Sequence, residues 1–215
     1  MPTSRTVKDV MSVQLVSATP TTSFKELAEQ LAGHHISALP VLDRWGQVIG
    51  VVSEADLLPR EAFRDRQPTR RELLLHLDEI EKSGGATAQD LMTSPAVVVY
   101  QHATLSQAAR LMARHHVRQL PVLDATEMPV GIVSRGDLLK VFLVPDEELA
   151  DTAVTELAKV LGGADITALT VEVTDGVVRL GGAPQLARSA SLAAAVISSI
   201  EGVIDVLVAL DQTPR

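Results

Sequence analysis

Cysteine is absent from the 215 residues, which removes disulfides, thiolate metal sites and cysteine nucleophiles together. Aromatic side chains make up only 2% of the chain against 46% hydrophobic residues overall. A core must therefore be built from Val, Leu, Ile and Ala, which suits small mixed α/β units and excludes disorder. No stretch approaches the roughly 20 apolar residues of a membrane-spanning helix. The opening Met1-Pro2-Thr3-Ser4-Arg5 leads into Val7-Lys8-Asp9 without an apolar run of signal-peptide length, so a cytoplasmic protein is expected. Also missing are a phosphate-binding Gly-rich loop, a dinucleotide fingerprint, a Gly-x-Ser-x-Gly elbow and a His-Glu-x-x-His pair. No catalytic residue is assigned, and the chain reads as a non-enzyme.

Basic charge is scarce in one region only. Between Asp146 and Asp211 eleven acidic residues face Lys159, Arg179 and Arg188, which accounts for the whole net charge of −8. An acidic C-terminal unit repels phosphate backbones and anionic lipid, so nucleic acid and charged membranes are poor partners for it.

What is present is a repeat. Shifting the chain by 81 residues lays 6–58 on 87–139 without a gap. Thr6-x-x-Asp9-x-Met11 falls on Thr87-x-x-Asp90-x-Met92, and His34-His35 on His115-His116. Leu39-Pro40-Val41-Leu42-Asp43 falls on Leu120-Pro121-Val122-Leu123-Asp124, and Gly50-x-x-Ser53-x-x-Asp56 on Gly131-x-x-Ser134-x-x-Asp137. Each copy reads as a helical turn, a brief strand (Gln14 to Ala18), a helix, a hairpin and a last short helix. Ser23 with Glu26 forms a capping box before Phe24, Leu27 and Leu31, with Gly33 and His34 marking the exit. Asp43-Arg44-Trp45-Gly46 turns the hairpin, and the final helix ends near Leu58. One such copy exposes an apolar sheet face, so the two are expected to pack together.

Ser-x-x-Asp at a strand-to-helix junction has a definite chemical use. The hydroxyl and free N–H groups at the helix start can hold an anion, and the carboxylate one turn on can accept two hydrogen bonds from a diol. A phosphate joined to a ribose uses both. The alternative use is plain helix capping.

The doubled Leu-Pro-Val and Gly-x-x-Ser-x-x-Asp resemble the CBS repeat, two of which form a Bateman module. The resemblance covers residues 6–139 apart from the linker. It implies an α+β, mixed α/β fold with two pseudo-twofold repeats, at 6–58 and 87–142, and a helical linker at 59–86. It further implies an adenosine-containing regulator, AMP, ADP, ATP or another adenosyl ligand, with no covalent cofactor. Ser53 and Ser134 would meet phosphate and Asp56 and Asp137 the ribose, with Ser17 and Val98 nearest the base. Arg135 and Arg118 stand where the first repeat has Glu54 and Ser37; an Arg fork attracts phosphate and a Glu repels it, so the second motif is expected to be the better phosphate site. CBS pairs also commonly form dimeric discs, which makes a homodimer the expected assembly. The adjacent His pairs point apart, lack a nearby carboxylate, and are read as helix ends rather than metal ligands.

Within the linker, Thr69 to Lys82 has helical periodicity ended by Gly84-Gly85. From Asp146 the pattern becomes helix, hairpin around Asp175-Gly176, Ala-rich helix and strand. This αββαβ order, with Val-x-Asp-Gly-Val-Val-x-Leu-Gly-Gly and Glu-Gly-Val-x-x-Val, resembles the BON domain over 146–212. That resemblance implies a protein-interaction appendage. The leading expectation is a regulatory sensor in which nucleotide biases the packing of the CBS pair and the BON-like unit relays it to a partner. A ligand-free scaffold and a membrane-surface adaptor are the alternatives.

Overall fold

The computed structural model describes residues 5–62, 82, 84–161, 169–182 and 187–210. They fall into two compact units, one spanning Thr6–Arg135 and the other built from Gly136 onward. Most of the expected linker helix lies outside the described residues.

In the first unit, α1 (Val7–Val10), α2 (Phe24–His34), β1 (Ala38–Leu42), β2 (Val48–Ser53) and α3 (Glu54–Ala62) make the first repeat. The second has α4 (Ala88–Leu91), β3 (Val99–Tyr100), α5 (Leu105–His115), β4 (Gln119–Leu123) and β5 (Pro129–Ser134), and it leads into α6 (Arg135–Leu139), which from Gly136 belongs to the second unit. The antiparallel hairpins β1/β2 and β4/β5 match residue for residue, down to an irregularity at Val41/Leu42 and at Val122/Leu123.

The capping box of α2 forms as expected: Ser23 N–H and Oγ–H donate to Glu26 Oε2 at 2.9 and 2.8 Å. Those bonds hold the Glu26 carboxyl below its usual range, the Ser23 backbone bond most of all. The exits differ from expectation. Gly33 lies inside α2, and the cap is His35 in the left-handed region at φ 54°, with its N–H on the carbonyls of Ala32 and Leu31; His116 at φ 56° does the same after α5. A single left-handed residue satisfies the last helix carbonyls, and here histidine takes the position that glycine usually fills.

The expected strand at Gln14 to Ala18 is reduced to one bridge, Ala18 to Val41. In the second repeat Gln101 N–H donates to Leu123 O at 2.9 Å and extends the pairing of β3 with β4. Pro20 holds the equivalent position and has no N–H to donate. At the other end, α3 continues past Leu58 to Ala62 with Pro59 inside it.

The repeats exchange their opening turns. Val7 N–H donates to Ala103 O and Lys8 N–H to Gln101 O, both at 2.9 Å, while Ala88 N–H donates to Thr22 O at 2.8 Å and Gln89 N–H to Pro20 O at 3.0 Å. Ala88 and Leu91 are consequently buried in one cluster with Leu27, Leu31, Leu39, Val41 and Val52 of the first repeat. A buried Leu contributes about 1.5–3 kcal/mol, so each opening turn ties its repeat firmly to the other.

The second unit packs α7 (Asp146–Val160) and α8 (Ala187–Ile197) on a sheet ordered β6 (Leu169–Thr174), β7 (Val177–Gly182), β8 (Asp205–Leu210). The helix-strand-strand-helix-strand order expected from the sequence is present. Asp175 and Gly176 turn the hairpin at φ 50° and 73°, and Asp146 accepts from both of their N–H groups, at 2.8 and 2.9 Å. Leu149, Ala153, Leu157, Val178, Leu180, Ala193 and Ile197 form its core.

Candidate functional site

The two Ser-x-x-Asp motifs sit where a strand hands over to a helix. Ser53 closes β2 and Asp56 lies in the first turn of α3; Ser134 closes β5 and Asp137 lies in the first turn of α6. The start of each final helix is anchored by the residue preceding its hairpin. Glu54 N–H donates to Ser37 O at 3.1 Å and Arg135 N–H to Arg118 O at 3.0 Å.

At the first motif the carboxylate is already engaged. Asp56 Oδ2 accepts from Ser53 N–H at 2.8 Å and from Ser53 Oγ–H at 2.7 Å, and Oδ1 is paired with the Lys82 ammonium. Lys82 also donates to Thr93 Oγ1 at 3.1 Å, so it links the first repeat's helix start to the second repeat. The pair is well shielded, with the Lys82 and Asp56 side chains 19% and 13% exposed. At the second motif Asp137 Oδ1 accepts from Lys140 at 2.7 Å, but there the ammonium side chain is 58% exposed. Arg135 turns its Nε–H to Val117 O at 3.2 Å, which leaves its terminal guanidinium nitrogens out of that bond.

A side chain the sequence reading passed over stands between the repeats. Gln119 Nε2 donates to Ser37 Oγ at 2.9 Å, while its Oε1 is buried with no hydrogen-bond partner. Whichever way the amide is oriented, one of its two polar atoms is left over. The available signal was a lone amide directly before Leu120-Pro121 in an otherwise apolar strand. Lys82 gave no signal at all, because its use depends on a contact made 26 residues away along the chain.

The predicted base-contacting residues are half-buried. Ser17 precedes the Ala18 bridge, and Val98 precedes β3. Val98 lines a groove of about 1010 Å³ whose other walls include Tyr100, His102, Arg110, Leu111 and Arg114. Ser53, Asp56, Ser134 and Arg118 do not line it. Among the described residues no group of three or more His, Asp and Glu is placed to hold a metal ion, and no helix is long and apolar enough to cross a membrane.

Known proteins share the repeat architecture. The chain is 33% identical over 135 residues to the chloroplastic CBS domain-containing protein CBSX2 of Arabidopsis thaliana, and 30% identical over 135 residues to CBSX1 of the same plant. In each case the match takes in 58% of this chain and 57% of the relative, so the chain spans little more than half of those proteins. A crystal structure of CBSX2 in complex with AMP superposes with a TM-score of 0.56 at 34% identity, covering 65% of this chain and 97% of that one. The CBS domain model matches residues 7–61 and 88–144, more than half of the sequence. The doubled hairpin, the paired Ser-x-x-Asp junctions and these matches agree: the chain belongs to the CBS domain family.

Proposed function

We propose that the protein is a non-enzymatic regulatory sensor whose CBS pair binds an adenosine-containing nucleotide, AMP, ADP, ATP or another adenosyl ligand. The observation that carries this reading is the likeness to CBSX2, a protein crystallised with AMP, at 34% identity over the whole CBS pair. Asp56 and Asp137 are the ribose acceptors in this reading, Ser53 and Ser134 the phosphate contacts, and Ser17 and Val98 the neighbours of the base. Gln119 joins them, since its spare amide atom suits a hydrogen bond to a heteroaromatic edge.

The second motif is the stronger half of the site. Its Asp137 pairs with Lys140, whose side chain is 58% exposed, and a ribose diol displaces so exposed a partner at little cost. Asp56 is held by a shielded lysine, and a ligand must break that pair to reach it. Arg135 and Arg118 supply the phosphate-attracting charge that Glu54 and Ser37 do not.

The protein acts as a cytoplasmic homodimer, and the acidic unit from Asp146 onward, read as a BON domain, relays the state of the CBS pair to a protein partner. Such coupling requires the nucleotide to favour one packing of the repeats over another. A ligand-free scaffold is the second reading, and the internal engagement of Asp56 by Ser53 and Lys82 favours it for the first repeat. Thermal melting separates the two. A sensor gains melting temperature with nucleotide in proportion to the logarithm of its concentration, and a scaffold does not move. Co-sedimentation with anionic liposomes tests the membrane-adaptor reading of the acidic unit, which our account expects to stay in solution.

A further inference from the structure

The two Ser-x-x-Asp motifs are alike in sequence, but one of them has a cation built against it. Under the 81-residue offset Asp56 matches Asp137, Thr93 matches Ser12, and Lys82 matches Met1. The second motif therefore has no lysine at the position that serves the first. The Lys82 ammonium is pinned from two sides. It pairs with Asp56 Oδ1 and donates to Thr93 Oγ1 at 3.1 Å. Thr93 is itself clamped on β2, its N–H donating to Val51 O at 2.9 Å and its carbonyl accepting from Val51 N–H at 3.1 Å. Two of the three donors of an ammonium are thus spent on groups held by β2 and by the helix that follows it.

The Asp56 carboxylate is filled in the same way. A carboxylate offers roughly four lone-pair positions. Two are taken here by Ser53 N–H and Oγ–H and another by Lys82, whereas a ribose diol needs two for itself. The Ser53 hydroxyl hydrogen is committed to Asp56 at 2.7 Å and is not offered to a phosphate. Glu54 beside it is exposed and repels one. Opening this motif means breaking a shielded ion pair, whereas Asp137 has only to release the exposed Lys140 ammonium.

We infer that Lys82 occupies the first ribose position from within the protein, so that each chain takes one nucleotide, at the second motif, and loss of the Lys82 ammonium opens the first. This rests on the nucleotide-binding reading above and adds the number of occupied sites and the residue that sets it. A ligand that binds only the open arrangement loses apparent affinity in proportion to the fraction of molecules that are open.

Isothermal titration of the full chain with AMP tests this in wild type, D137A, K82Q/D137A and K82Q/D137A/D56A, with folding checked by circular dichroism. Wild type is expected to take one AMP per chain and D137A none. K82Q/D137A should bind AMP roughly tenfold or more tightly than D137A, and the added D56A should remove that gain. K82R/D137A keeps the charge and should stay closed. Two AMP per wild-type chain, or a folded K82Q/D137A that binds no better than D137A, overturns the inference and leaves the nucleotide reading intact. Silence from every protein overturns both. Lysine acetylation of the wild type, read by mass spectrometry, is a second arm that needs no substitution. Lys82 should react far more slowly than the exposed Lys25, and saturating AMP should leave its rate unchanged. A rise in Lys82 labelling on addition of AMP places the ligand in the first motif and overturns the inference, even where K82Q fails to fold.

Discussion

Met11 of the first repeat lies directly against Gly131 of the second. A Cβ built on Gly131 would meet the Met11 sulfur at 3.1 Å and press into the backbone carbonyl of Ser12. Its counterpart is Gly50, where a Cβ would meet the Met92 sulfur at 2.5 Å. Bridges from Ser12 to Ile132 and from Thr93 to Val51 run beside these contacts. The glycines of the two Gly-x-x-Ser-x-x-Asp motifs thus serve the exchange of opening turns, three residues before the serines assigned to ligand and on the same strands.

Gly131→Ala is therefore expected to destabilise the protein by about 1–3 kcal/mol, the usual cost of overpacking. Gly50→Ala should cost less, because the obstacle there is a flexible methionine side chain and not a backbone carbonyl. Urea unfolding of the two variants gives the comparison; equal stability of Gly131→Ala and wild type would contradict the packing described.

The repeat was the most legible feature of the sequence, since turn residues and apolar periodicity act locally and recur at a fixed offset. The hairpin turns, the Ser23–Glu26 box and the αββαβ order of the second unit all follow from neighbours within a few residues. The exchange of α1 and α4 was not legible. Thr6-x-x-Asp9 and Thr87-x-x-Asp90 announce a helical turn, but period alone does not say which copy's core receives Ala88 and Leu91. The same limit hid Lys82 and Gln119, whose roles arise from contacts across the repeat interface. Left-handed His35 was hidden for another reason: the sequence points to nearby Gly33 first, while around His116 no glycine is offered and the matching position is Arg114.

Lys82 and Lys140 offer a contrast in ion-pair energetics. Lys82→Gln leaves a shielded Asp56 without its cation and is expected to cost about 2–3 kcal/mol, somewhat less than a fully buried pair. Lys140→Gln removes an exposed partner from Asp137 and should cost under about 1 kcal/mol. Chemical denaturation of both variants decides the matter, and equal losses would contradict the assignment of the difference to the shielding of the two lysines, 19% exposed at Lys82 and 58% at Lys140.

Position 127 carries a local strain that position 46 avoids. Glu127 sits at φ 64°, and its repeat counterpart Gly46 at φ 82°. Glu127→Gly is expected to stabilise by about 0.5–1 kcal/mol, as relief of a left-handed side chain outweighs the added freedom of the unfolded chain. Gly46→Ala should act in the opposite direction, since its Cβ would also approach the Met128 methyl at 2.9 Å. Melting temperatures of the pair should move in opposite senses.

Acid sensitivity follows from three exposed carboxyls. Thr87, chiefly through its hydroxyl, holds Asp90 below its usual range; the Thr126 hydroxyl and then Met128 N–H do so for Asp124; Ser23 does so for Glu26. A carboxyl with a lowered folded-state pKa contributes stability that is complete above its unfolded value of about 4 and is lost as pH falls through the folded value. Stability should be insensitive to these groups from pH 7 to 5 and decline below about 4. Asp90→Asn should remove its share of that decline, which pH-dependent melting of wild type and variant will register.

The central claim is that the CBS pair binds an adenosine nucleotide chiefly through its second motif. Isothermal titration of the full chain with AMP, ADP, ATP, NAD, S-adenosylmethionine and cyclic di-AMP tests it, with Asp137→Ala and Asp56→Ala titrated alongside. The account predicts micromolar binding of at least one of these, abolished in Asp137→Ala and largely kept in Asp56→Ala. Silence across the panel, or equal loss in the two variants, would contradict it.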